Sequence, residues 1–145
     1  MGEATKLNVG DRPLFVYGTL LFSEITERLL GRLPAVDRAA APSWSTRILA
    51  DRTYPGLVPD KMSAAGGLLF LDLTEDEWVT LDTYEGDEYE RTTLTVVNQG
   101  GEPTEAVVYL LIDESIVTED RWTTQWFSDL HLADFTARLD RGEPV

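Results

Sequence analysis

The longest apolar run in the chain is only eight residues, GGLLFLDL at positions 66 to 73. A bilayer-spanning helix needs about 20 such residues, so this run is too short to cross a membrane. A continuous apolar stretch of that length, leading into turn and cap residues, reads as a buried strand. A second run, LFVY from Leu14 to Tyr17, is shorter still and stops at Gly18. With apolar runs this brief, the chain is restricted to short buried strands separated by turns and modest helices.

The remaining segments follow the same logic. Ser23 to Gly31 opens with acids, places Ile25, Leu29 and Leu30 at helical spacing and closes on glycine, which predicts a short helix. AVDRAAA and WSTRILA have strand composition and are separated by Pro42, whereas TYPGLVPD, with two prolines and a glycine, is expected to be irregular. Thr74 and Glu77 have capping-box spacing and predict a helix from Glu75. YERTTLTVVN and EAVVYLLID, joined by QGGEPT, predict an antiparallel hairpin. A C-terminal helix over 120–142 is expected to carry Trp126, Leu130, Ala133 and Ala137 on one face and to stop at Gly142. About six strands with three interspersed helices argue for α+β, with a curled sheet or small barrel, over a doubly wound parallel sheet. The expected organisation is one domain over 1–145, preceded by a polar arm at 1–12.

The inventory narrows the chemistry. The 145 residues contain no cysteine, which removes disulfides, thiol nucleophiles and zinc-thiolate sites. One histidine and scattered acids give no metal-ligand spacing, so no metal is expected. Twelve Lys and Arg against 26 Asp and Glu leave a formal charge of -14, which opposes binding to nucleic acid or to an anionic membrane surface. The first residues lack the basic start and apolar run of a secretory signal, and a cytoplasmic location is the expectation. Nothing in the sequence sets an oligomeric state.

In LDTYEGDEYER, residues 81–91, a helix begun at Glu75 puts Trp78, Leu81, Asp82 and Glu85 on one face. Burying Trp78 and Leu81 carries Glu85 inward, where lost hydration raises a carboxyl pKa. Gly86 would end the helix there, and the negative end of the helix dipole acts in the same direction. A carboxylate lifted towards neutrality is suited to proton transfer. The bland alternative is a helix-end glutamate paired with Arg91. Asp82 and Glu85 as a paired-carboxylate hydrolase is a weaker alternative, because two acids on one helix do not easily flank a bond.

LFVYGTL (Leu14 to Leu20) and LDTYEGDEYER (Leu81 to Arg91), in this order and separation, resemble the gamma-glutamylcyclotransferase-like family, in particular its plant avirulence-induced-like branch. The resemblance extends through ERLLGR, YPGLVP, GLLFLDLTEDEW and WFSDLHLADF. It implies a small mixed β-barrel with flanking helices, a cofactor-free pocket and release of 5-oxoproline from a gamma-glutamyl amine or dipeptide. It places the catalytic acid at Glu85 and the substrate-binding loop at Tyr17, Gly18, Thr19 and Leu20. Glycine in such a loop lets backbone N–H groups approach a carboxylate or oxyanion closely. The resemblance also carries Tyr89 and Arg91, which either line the pocket and orient Glu85 or pack the next strand. Tyr109 is expected in the core with its hydroxyl towards the pocket. Tyr54 belongs to a turn or a rim loop, and His131 to packing or surface. Arg12 and Arg47 are candidates to meet a substrate carboxylate, and the spacing selects neither. The alternative on the same fold is a non-catalytic module binding a small metabolite or a protein.

Overall fold

The computed structural model of the protein describes residues 12–145, so the expected N-terminal arm, Arg12 apart, lies outside the described residues. Five strands close on themselves: β1 (Leu14–Val16), β2 (Val36–Leu49), β3 (Pro55–Phe70), β4 (Tyr89–Asn98) and β5 (Pro103–Leu111). Their order is β3-β1-β5-β4-β2, with β2 pairing back to β3, and β6 (Val117–Arg121) adds to the outer edge of β2. β1 runs antiparallel to β3 and parallel to β5, which makes the barrel mixed. Four helices flank it: α1 (Ser23–Leu30), α2 (Glu75–Glu85), α3 (Thr124–Leu130) and α4 (Leu132–Asp140). Among the described residues no helix is long and apolar enough to cross a membrane.

The unalternating run in β1 has a simple cause, since both faces of the strand are covered. Leu14 and Val16 join Val107, Phe70, Trp78, Leu81, Phe127 and Phe135 in a core between barrel and helices. Phe15 and Tyr17 point the other way, into the barrel, with Leu57, Val96 and Val108. A five-stranded barrel is narrow, and Ala39, Ala41, Ala65 and Ala106 fill much of its interior.

Two strand assignments differ from the sequence expectation. AVDRAAA and WSTRILA are not two strands but one, β2, which absorbs Pro42 in a bulge between Pro42 and Trp44, with Ser43 at φ 68°. TYPGLVPD is not irregular: β3 starts at Pro55, and Pro59 pairs with Trp44 directly beside the bulge. Proline is tolerated at a strand's first residue and at bulges, where the ladder does not need its missing N–H. The hairpin of β4 and β5 is antiparallel, as expected.

The C-terminal helix also differs, because it breaks at His131 into α3 and α4. The buried residues are Phe127 and Phe135, while Leu130 is 63% exposed and Ala133 faces solvent. Eight residues along a straight helix rise about 12 Å. The rings of Phe127 and Phe135 lie 5.3 Å apart, which requires the chain to turn between them.

Candidate active site

The end of β1 delivers the first half of the site. After Tyr17, Gly18 leads into a single 3-10 turn over Thr19–Leu21. A Cβ on Gly18 would lie 2.7 Å from Pro55 Cγ, so the absent side chain is what lets the first residue of β3 pack against this loop. Thr19 is buried, and its Oγ1 shares a 2.7 Å hydrogen bond with the Tyr84 hydroxyl. That bond ties the loop to the last turn of α2.

Helix α2 delivers the second half. Thr74 Oγ1 accepts from Glu77 N at 3.2 Å, and Glu77 Oε1 accepts from Thr74 N at 3.0 Å, completing the capping box. Arg32 donates to both oxygens of Glu77 at 2.7 Å, and this pairing holds the Glu77 carboxyl below its ordinary range. The helix runs to Glu85 and stops at Gly86, whose φ of 69° and ψ of -158° are accessible essentially only to glycine. Trp78 and Leu81 are buried at 4% and 0% exposure, and their face brings Glu85 inward.

Both halves meet at a cavity of about 270 Å³ lined by Tyr17, Gly18, Thr19, Leu20, Glu85, Tyr89 and Tyr109, with Tyr54, Pro55, Tyr84, Asp87 and Glu88 also in the wall. The chain has five tyrosines and all five line this cavity. Every hydroxyl is engaged by the protein. Tyr17 donates to Tyr109 O at 2.5 Å, Tyr89 to Pro55 O at 2.6 Å and Tyr109 to Asp82 Oδ1 at 2.6 Å. Tyr54 donates to Glu88 Oε1, whose other oxygen accepts from Arg52 at 2.7 Å. The tyrosines therefore present fixed, neutral rings: burial raises the phenols of Tyr17, Tyr84, Tyr89 and Tyr109, and pushes Tyr54 up to about 12.

Glu85 stands apart. Its carboxylate makes no hydrogen bond or ion pair among the described residues, where every tyrosine around it has a partner. The residue is half-buried because the cavity opens onto it, yet loss of water around the carboxyl pushes it up to about 8, with the Asp82 charge adding to the shift. The arrangement can exchange a proton near neutral pH with a ligand held between aromatic walls and the backbone of residues 17–20.

Of the expected site residues, the structure brings Glu85, Tyr17, Gly18, Thr19, Leu20, Tyr89 and Tyr109 to one cavity. Arg91 is not brought there: it pairs with Asp82 at 3.0 Å and lies over the Trp78 ring, 5.4 Å from its centroid. Arg91 thus does not pair with Glu85 either. Asp82 is likewise absent from the cavity wall, so Asp82 and Glu85 do not form a carboxylate pair across it. Arg12 and Arg47 do not line it, and Arg47 is held by Asp60 and Ser45. His131 packs on Trp126, ring centroids 4.7 Å apart, at the α3–α4 break. Tyr84 and Glu88 are among the wall residues the sequence did not single out. Tyr84 had a legible signal, at i+3 from buried Leu81, but Glu88 depends on Arg52 and Tyr54 from a distant segment.

Comparisons with known proteins agree with this fold. The family described as gamma-glutamyl cyclotransferase, AIG2-like matches residues 14–127. AIG2-like protein A of Arabidopsis thaliana is 32% identical over 103 residues, 70% of this chain and 62% of that protein. AIG2-like protein D of the same plant is 33% identical over 84 residues, 58% of this chain and 55% of that protein. The matched region thus spans little more than half the length of these relatives. An Arabidopsis thaliana protein solved in solution superposes with TM-score 0.67 at 26% identity, covering 97% of this chain and 99% of that one. A structure described as gamma-glutamyl cyclotransferase has TM-score 0.64 at 15% identity, covering 92% and 89%, and so shares the fold. With the family pattern matched from the first strand into α3, and the two motifs that carry it meeting at one cavity, the chain belongs to the AIG2-like gamma-glutamyl cyclotransferase family.

Proposed function

We propose that the protein releases 5-oxoproline from a gamma-glutamyl amine or gamma-glutamyl dipeptide, with Glu85 as general base and then general acid. The observation that carries this reading is the Glu85 carboxyl, raised to about 8 and without a partner among the described residues, in the same cavity as residues 17–20. An acid in that state meets the protonation requirements of both half-steps near neutral pH.

In the proposed reaction the Glu85 carboxylate takes a proton from the substrate's α-ammonium. The freed nitrogen attacks the substrate's own γ-carbonyl carbon, closing a five-membered ring, while backbone N–H groups of residues 17–20 face the developing oxyanion. Collapse breaks the original γ-amide C–N bond as Glu85 returns its proton to the departing nitrogen. The ring nitrogen gives up a second proton on becoming a lactam, so the amine departs as an ammonium and Glu85 is again a carboxylate. Because nucleophile and electrophile belong to one molecule, the protein's task is to hold a folded conformer and manage protons, for which no cofactor is required. The aromatic walls suit that task, since rings with committed hydroxyls present shape rather than competing hydrogen bonds.

The test is to incubate the purified protein with a panel of gamma-glutamyl amines and dipeptides and to measure 5-oxoproline. Turnover is expected for at least one member, with Glu85→Gln lowering kcat by about 10²–10⁴ while ligand binding persists. No turnover across the panel, or a Glu85→Gln protein as active as the parent, overturns the reading.

A further inference from the structure

Asp82 precedes Glu85 by three residues on the same face of α2, yet it faces a different set of partners. Its Oδ1 accepts from the Tyr109 hydroxyl at 2.6 Å and its Oδ2 from Arg91 Nη2 at 3.0 Å. Both donors come from one place, because Arg91 on β4 and Tyr109 on β5 are register partners across the hairpin. Tyr109 also lines the cavity that holds Glu85. Trp78, at 4% exposure, lies beneath the Arg91 guanidinium and fixes its plane. One carboxylate, about a helical turn before the cavity acid, therefore consumes a guanidinium and the hydroxyl of a cavity-lining phenol.

We propose that Asp82 is a positioning residue for Glu85, holding Tyr109 and Arg91 to itself so that, among the described residues, the Glu85 carboxyl is left with neither a donor nor a cation. The assignment rests on the proposed role of Glu85. The other groups facing Glu85 do not substitute for Asp82. From the loop after β1 comes Tyr17, from α2 Tyr84, from the segment before β3 Tyr54, and from β4 Tyr89, all neutral phenols with committed hydroxyls. Asp87 and Glu88 follow Glu85 in the wall, and Glu88 is neutralised by Arg52 at 2.7 Å. Arg91 shares Asp82 with Tyr109 of the cavity wall, so it is a cation that loses its partner when Asp82 is removed. Removing the Asp82 charge also removes a like charge beside Glu85, which acts in the same direction.

The experiment reads Glu85 directly, by carboxyl-carbon NMR titration of the ligand-free protein, alongside the pH profile of kcat/KM for the substrate that turns over best. Asp82→Asn is expected to lower the Glu85 midpoint, and the acid limb of the profile with it, by at least about one pH unit. Asp82→Glu is expected to restore most of the parent behaviour, which a loss of fold would not do. Should Asp82→Asn not fold, Arg91→Met decides the matter: with Asp82 uncompensated, the Glu85 midpoint must rise. An Asp82→Asn midpoint equal to the parent's, or an unmoved midpoint in Arg91→Met, overturns the assignment. A shifted titration without turnover of any gamma-glutamyl compound would sink the cyclotransferase reading alone, and turnover with an unshifted titration would sink this assignment alone.

Discussion

Glu85 loses water on folding and gains no partner among the described residues, and that makes it a source of pH-dependent instability as well as of chemistry. Its carboxyl is raised from the ordinary 4.5 to about 8, so between those values the folded protein holds a proton that the unfolded chain releases. Its contribution to stability is therefore complete below pH 4.5 and is lost as pH rises through about 8. Glu85→Gln, which cannot ionise, is expected to be more stable than the parent above pH 8, by up to about 5 kcal/mol, and to show no such gain in acid. Thermal unfolding across that pH range checks it, and a pH-independent difference would contradict the buried-acid assignment. The same logic explains the five tyrosines: their raised phenols stay neutral over any working pH, so the ionisation that matters in the cavity is that of Glu85.

At the scale of elements, α2 positions the site by having both of its ends fixed. Its N-terminus is locked by Thr74 and Glu77, with Arg32 clamping Glu77 from the end of α1, and its C-terminus is set by Gly86 and the Tyr84–Thr19 bond. Thr74→Ala removes one half of the capping box and is expected to cost about 1 kcal/mol, read as a lower urea midpoint. Because the cap lies three turns from Glu85, activity per folded molecule should be unchanged. Sequence pattern found this helix, its cap and its end because all three are local. It missed the β2 bulge and the start of β3, where prolines survive only because the neighbouring strand does not ask for their N–H groups. It also read α3 and α4 as one helix, since the turn at His131 is imposed by two phenylalanines sharing a core rather than by a breaker residue.

For the whole molecule, barrel closure is what assembles the cavity. Tyr17 and Tyr109 lie 92 residues apart in sequence and touch through a 2.5 Å hydrogen bond, because β1 sits beside β5 in the closed sheet. Closure in turn depends on close approach between β1 and β3. A Cβ on Gly67 would fall 2.2 Å from the Val16 carbonyl oxygen and 2.8 Å from the Phe15 ring. Gly67→Ala is expected to destabilise the protein by about 3 kcal/mol or more, since the clash is with backbone that cannot yield without opening the barrel. Denaturant unfolding measures it, and a near-neutral effect would mean that β1 and β3 are not packed this tightly.

By itself the sequence determined the short buried strands, the capped helix α2 and the inward placement of Glu85, because helix periodicity, capping chemistry and glycine conformations act over a few residues. The tertiary structure alone decided that Arg91 would serve Asp82 rather than the cavity, that Glu88 would be held by Arg52 and Tyr54, and that all five tyrosines would converge on one acid. Those pairings join side chains from separate strands, and their geometry exists only once the barrel closes.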